Sequence, residues 1–146
     1  MVKKSRKEAG ASATEFALIL PLLVVFVFGI IEFSVLLYDK AVITNASREG
    51  ARTGIVYEFD PSGMSTYNHP DDAAVVDAVN NYVQNHLITF GAIAPPTITV
   101  NRAGDATGDA LEVMVDYHYD FLLLPTFLTS MAGGADIRGR SVMRME

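Results

Sequence analysis

The N-terminal stretch MVKKSRKEAGASATEFALILPLLVVFVFGIIEFSVLLYDK (residues 1–40) decides the fold of this chain. Its first ten residues are basic and polar, and no charged residue occurs from Phe16 to Ile31. A helix from Phe16 to Tyr38 would be about 35 Å long, which is enough to cross a hydrocarbon layer of about 30 Å. The stretch therefore predicts one transmembrane helix near the N-terminus.

The charges around this segment predict its orientation. Four basic residues precede it, namely Lys3, Lys4, Arg6 and Lys7. Such residues favour the cytoplasmic side of a membrane span, so we expect the N-terminus in the cytoplasm and the domain outside it. Basic residues also follow the segment, but acidic residues are interleaved with them, which weakens the prediction without reversing it.

Composition limits what the rest of the chain can do. The 146 residues carry 11 Lys and Arg against 17 Asp and Glu, a net charge of −6, and their mean hydropathy is +0.26. An acidic body argues against a nucleic-acid partner, because phosphates need a basic surface. The lack of Cys excludes disulfides, thiolate metal sites and a cysteine nucleophile. Only about 90 residues remain outside the anchor, which disfavours a large enzyme core.

Helical periodicity continues beyond the membrane segment. Apolar or small residues recur at helical spacing between Ser34 and Thr53, at Val35, Tyr38, Val42, Ala46, Gly50 and Thr53. This stripe favours packing against the chain's own domain over packing against a partner. Gly50 and Gly54 predict a fraying helix end, and Pro21 predicts a kink near the start.

The remaining sequence predicts a small domain with one more helix and about three antiparallel strands. Turn formers in residues 57–70 predict a loop, and Asp71–Leu87 has the pattern of an amphipathic helix with Pro70 as its first residue. Alternation in residues 111–120 is the strongest strand pattern. Weaker strands are predicted at Thr97–Val100 and Ile137–Met145, a hairpin loop at 101–110, and a buried or membrane-facing loop at Phe121–Leu128.

The predicted elements define an α+β fold class. The chain divides into a leader (1–10), a transmembrane or long helix (11–56) and a domain (57–146).

A short motif stands where the basic leader meets the apolar run. Gly10 is followed by four small residues, then by Glu15 and Phe16. This resembles the processing site of type IV prepilins and pseudopilins, with Gly before the cut and Glu at the fifth mature position, and Glu-Phe is similar to the pair of the Flp-type branch. The resemblance implies cleavage between Gly10 and Ala11 by a prepilin peptidase, which needs extended backbone that Gly does not obstruct.

Two other interpretations of the segment stay open. A secretory signal peptide requires a small-residue cleavage site after its apolar region, and no convincing site follows Tyr38. A plain signal anchor fits every feature except Glu15.

The resemblance extends further along the chain. The segment GASATEFALILPLLVVFVFGIIEF, followed by ITNASREGAR, resembles the start of TadE-like proteins of the tight-adherence (Flp) pilus, and the ending SVMRME is similar to theirs. This implies a pseudopilin or minor pilus component with a pilin-like extracytoplasmic domain and no known catalysis. It also implies an inner-membrane or pilus location, with Glu15 and Phe16 serving recognition or assembly. The implied partners are the prepilin peptidase, other pilin or pseudopilin subunits and the inner-membrane assembly platform.

No motif indicates catalysis, a metal or a cofactor. His69, His86 and His118 lack ligand spacing, and Asp105 and Asp109 are better explained by a turn than by a Ca²⁺ loop. We therefore expect no enzyme, no metal and no cofactor.

Glu32 is a second carboxylate in the apolar part of the sequence. It is expected to be a solvated carboxylate at the membrane interface, with a contact to a neighbouring subunit as the alternative.

Two alternative functions stay open. The chain could instead be an uncleaved single-pass scaffold, or an adhesive tip protein whose domain binds a ligand. An exposed aromatic patch of Tyr57, Phe59 and Tyr67 would favour the tip protein.

Overall fold

A computed structural model describes residues 6–56, 58–59, 67–89, 94–123 and 133–145, with side chains at 10, 12–56, 69–89, 94–123 and 133–145. The α+β class expected from the sequence is confirmed. The elements in chain order are α1 (Arg6–Ile55), β1 (Glu58–Phe59), β2 (Tyr67–Asn68), α2 (Asp72–His86), β3 (Thr97–Arg102), β4 (Ala110–Tyr119) and β5 (Ala135–Arg144).

The part of α1 from Phe16 to Ile31 presents an exposed apolar surface. The helix has 50 residues, begins inside the predicted leader and continues through Pro21. Its large apolar side chains point outwards; Phe16 is 61% exposed and Leu22 is 72% exposed. The helix is long and apolar enough to cross a membrane. Because this surface is apolar all round, it requires lipid or other apolar surroundings.

The domain is built on an antiparallel sheet in the order β3-β4-β5, with β4 in the centre. Alternate side chains of β4 are buried, as the alternation predicted: Leu111, Val113, Val115, Tyr117 and Tyr119. A separate two-residue ribbon pairs β1 with β2 where the sequence predicted only a loop. Two residues per strand are too few to leave a periodic pattern in the sequence.

The upper half of α1 belongs to the core of the domain. Val42, Ile43 and Ala46 are buried against the sheet and α2, and α2 contributes Val75, Val79 and Val83. The preference for packing against the chain's own domain is therefore confirmed. Tyr38, which was assigned to the same stripe, is 45% exposed, so that part of the prediction is wrong.

Three glycines permit the close approach of the elements. A Cβ on Gly50 would meet Val79, and one on Gly54 would lie 2.8 Å from Val75 Cγ2. Both glycines are buried within α1, so the prediction that they mark a fraying end is wrong for Gly50. Their missing side chains admit α2 instead.

Gly139 of β5 approaches the backbone of α1 even more closely. A Cβ there would lie 2.5 Å from the Ile43 carbonyl oxygen and 3.0 Å from Thr44 Cα. Backbone atoms of a helix cannot rotate away as a side chain can, so α1 and β5 would have to separate.

We expect Gly139→Ala to lower the free energy of unfolding of the domain by about 1–3 kcal/mol, the usual cost of overpacking. Gly29→Ala is the matched control, because a Cβ there meets no described atom within 4 Å. Unfolding is measured in detergent by the near-UV circular dichroism of the six tyrosines. Equal unfolding midpoints for the two variants would contradict the close contact.

The end of the domain farthest from the membrane is fixed by α2 and Arg102. The Asp71 side chain caps α2 by accepting from the Ala74 N–H at 2.9 Å, so Pro70 precedes the cap and is not the first helical residue. Arg102 donates to Asp72 at 2.5 Å and to the Pro70 carbonyl at 2.6 Å. The strand β4 therefore runs from this end, where Leu111 approaches Gly54, back towards the membrane.

Candidate functional site

The predicted processing segment lies in the first turns of α1. Gly10 is exposed, and a Cβ on it would meet no described atom within 4 Å. The backbone at Gly10 and Ala11 is helical, not extended as a protease needs it. The first N–H groups of a helix lack intrahelical partners, and Gly lowers helix stability by about 1 kcal/mol relative to Ala. Unwinding this segment therefore costs little free energy.

Glu15 and Phe16 follow within two turns on the same helix. Both side chains are exposed, and among the described residues no hydrogen bond or ion pair reaches the Glu15 carboxylate. Ala11 and Glu15 are four residues apart, which places them on one face about 6 Å apart along the axis. The structure thus keeps Gly10, Ala11, Glu15 and Phe16 together in one segment, away from the domain.

Glu32 joins α1 to the domain. Its side chain is only 3% exposed. Oε1 accepts from the Tyr119 hydroxyl at 2.6 Å and from the Leu122 N–H at 2.8 Å, and Oε2 accepts from the Leu123 N–H at 2.6 Å. The expectation of a solvated carboxylate is therefore wrong. Its partners come from the end of β4 in its own chain.

Burial, together with the hydrogen bond to Glu32, raises the pKa of Tyr119. The phenol therefore stays protonated and remains a donor to the carboxylate. This geometry holds the end of β4 against α1.

Asp39, seven residues after Glu32, makes a second connection between α1 and the domain. The contacts of Glu32 and Asp39 together form the joint between α1 and the domain. Asp39 is fully buried, and its Oδ1 accepts from the Ile88 N–H at 3.1 Å. Glu32 holds the segment after β4 and Asp39 holds the segment after α2, so two carboxylates of α1 fix the membrane end of the domain.

Sequence reasoning missed this pair. The available signal was the spacing of seven residues between Glu32 and Asp39, which places both on one helix face. Three of the four donors are backbone N–H groups and the fourth is the Tyr119 hydroxyl, and all belong to segments some 50 to 90 residues away. No local sequence pattern indicates such contacts.

The histidines and the 105–109 turn show no arrangement typical of a metal site. The described residues contain no cluster of three or more potential ligands. His86 stacks on Tyr82, and the Asp109 carboxylate accepts from the Ala106 N–H at 3.0 Å, which is turn geometry. The aromatic patch of Tyr57, Phe59 and Tyr67 lies outside the described side chains.

His118 connects β4 to the start of β5. Its Nδ1 lies 2.7 Å from Asp136 Oδ1, and its Nε2 lies 3.6 Å from Asp120 Oδ1. The hydrogen bond to Asp136 raises the pKa of His118 above its ordinary value of 6.5.

We expect an NMR titration of the His118 ring to give a pKa above 6.5 in the folded protein and a lower one in urea. The contribution to stability is fully present below the unfolded pKa and is lost as the pH rises through the folded pKa. Asp136→Asn should bring the folded pKa down towards the urea value. An unchanged pKa in that variant would show that Asp136 is not the cause.

Fold and site together define a protein with one exposed apolar helix that carries a small α+β domain on its second half. Residues 10–52 match the family described as TadE-like protein. The match covers the Gly10–Phe16 segment, the apolar run and both carboxylates of the joint. It confirms the resemblance seen in the sequence for residues 10–52, whose helix is TadE-like and is long and apolar enough to cross a membrane. Neither the curated proteins nor the solved structures gave a match.

Proposed function

We propose that the chain is made as a prepilin, is cut between Gly10 and Ala11 by a prepilin peptidase, and acts as a TadE-like pseudopilin or pilin-like subunit in the assembly of a tight-adherence (Flp-type) pilus. One observation carries the proposal. The TadE-like match begins at Gly10, and it includes Glu15 on an apolar helix whose surface is free for lipid or other subunits. A plain anchor does not require a carboxylate there.

The mature protein would have a defined cellular location and defined partners. The mature protein resides in the inner membrane, with the domain on the side opposite the basic leader, or passes into the pilus. Its partners are the prepilin peptidase, other pilin or pseudopilin subunits and the assembly platform. The TadE-like helix supports a structural role rather than an enzymatic one.

The mass of the N-terminal peptide tests the proposal. We expect protein extracted from membranes that contain a prepilin peptidase to begin at Ala11, and protein from membranes without the peptidase to retain residues 1–10. Gly10→Leu should stay at full length with the peptidase present, because a bulky side chain obstructs the cut. Gly29→Leu, on the same helix, should be cut like the wild type.

Full-length wild-type protein in the presence of the peptidase would contradict the proposal and favour the uncleaved scaffold. An adhesive tip protein would be cut as well, but its isolated domain would also bind a surface ligand.

A further inference from the structure

The uncharged part of α1 is shorter than the membrane core. Phe16–Ile31 spans about 24 Å as a helix, whereas the hydrocarbon layer is about 30 Å thick. With Phe16 at one boundary, the other boundary falls near Leu36. Glu32 then lies about 6 Å inside the hydrocarbon, and its carboxylate needs protein around it.

The exposed face of α1 stays apolar past the level of Glu32. Phe33 is 61% exposed and Leu37 is 52% exposed. Tyr38 follows, a residue type enriched at membrane interfaces, and Lys40 is the first exposed charged residue beyond Glu15. This face therefore marks a membrane boundary between Leu36 and Lys40, above Glu32.

The segment after β4 must lie at the same depth, because it is hydrogen-bonded to Glu32. Backbone N–H groups inside a bilayer need partners within the protein. Glu32 provides them for Leu122 and Leu123. The same contacts surround the carboxylate, so each group offsets part of the other's desolvation cost.

An apolar groove opens beside this joint. Its volume is about 350 Å³, and it lies between α1 and the membrane end of the domain. Its lining residues are Gly29, Glu32, Phe33, Leu36, Phe121 and Ala135. It is continuous with the exposed apolar face of the helix, so the surroundings that cover that face also reach the groove.

We infer that the membrane end of the domain rests in the lipid leaflet on its own side of the bilayer, with an acyl chain in this groove and residues 121–123 at hydrocarbon depth. The inference rests on α1 crossing a membrane, and not on processing or pilus assembly. The sheet face away from α1 limits the immersion, because His118, Asp120 and Asp136 are exposed there. Those charges lie at headgroup level.

Single spin labels measure the depth directly, because the chain contains no Cys. The full chain is reconstituted into phosphatidylcholine nanodiscs with a nitroxide at Leu123→Cys. Collision rates with oxygen, which concentrates in lipid, and with a water-soluble nickel chelate are compared. Leu22→Cys serves as the lipid reference, and Asp105→Cys, at the far end of the domain, serves as the aqueous reference.

We expect the label at 123 to collide more with oxygen than with nickel, as at 22 and opposite to 105. Phe33→Cys, whose exposed side chain leaves the core intact, should give the same result if the label at 123 disturbs folding. Preferential nickel collisions at 123 in a variant that keeps the near-UV circular dichroism of the wild type, or at 33, would overturn the inference. Spectral broadening at 123 that disappears on dilution with unlabelled protein would place a second copy in the groove, and would also overturn it.

Discussion

Replacing Glu32 with alanine is expected to detach the end of β4 from α1. The substitution leaves the Tyr119 hydroxyl and the N–H groups of Leu122 and Leu123 without their acceptor. Hydrogen bonds to a charged group contribute about 1.5–3 kcal/mol each, and the relieved desolvation of the carboxylate offsets part of their loss. We expect a net decrease of roughly 3 kcal/mol in the free energy of unfolding.

The measurement is denaturant unfolding in detergent, followed by the near-UV circular dichroism of tyrosine. Glu49→Ala is the matched control, because Glu49 is an exposed glutamate further along the same helix. Tyr119→Phe removes one of the three donors and should cost less than Glu32→Ala. A double-mutant cycle between the two then isolates the Tyr119–Glu32 contact. Equal stability of Glu32→Ala and Glu49→Ala would show that the joint does not hold the domain.

Much of the fold could be predicted because its signals are periodic. The apolar run and its continuing stripe indicate α1, and the alternation of β4 places Leu111 to Tyr119 on a buried face. Both patterns follow from burial on one side of a regular element. The segment Gly10–Phe16 could be recognised for a different reason, since its residues are adjacent in sequence and need no tertiary structure to form a motif.

The joint could not be predicted, because its partners are remote and mostly backbone groups. From sequence alone, a glutamate in an apolar run indicates a carboxylate that is solvated at an interface. Only the tertiary structure shows that donors elsewhere in the chain hydrogen-bond to its oxygens. Gly50 has the same difficulty: a glycine near a helix end suggests a terminus, and only the position of Val79 shows that it admits α2. In both cases the tertiary contact, and not the local pattern, determines the role.

Glu15→Ala is expected to leave the chain inserted and cut but unable to assemble. A carboxylate at the centre of a transmembrane helix costs about 2.5–3.5 kcal/mol, and less near the interface. Glu15 is exposed next to the apolar run, and we expect another group to offset the part of that cost that remains when assembly removes water from the carboxylate. Cleavage after Gly10 would create a free amine on Ala11. In a staggered assembly, Glu15 of one subunit would meet the Ala11 amine of the next.

Removing one partner of such a pair in surroundings of low dielectric costs about 3–5 kcal/mol, because the other charge is left uncompensated. That corresponds to a loss of about two orders of magnitude or more in the association constant. Cross-linking and co-purification of wild type, Glu15→Ala and Glu49→Ala from the same membranes measure it. Higher-order species should disappear only in Glu15→Ala. Equal yields would make Glu15 an interfacial charge without a partner, and a variant that is no longer cut would place its role in recognition by the peptidase.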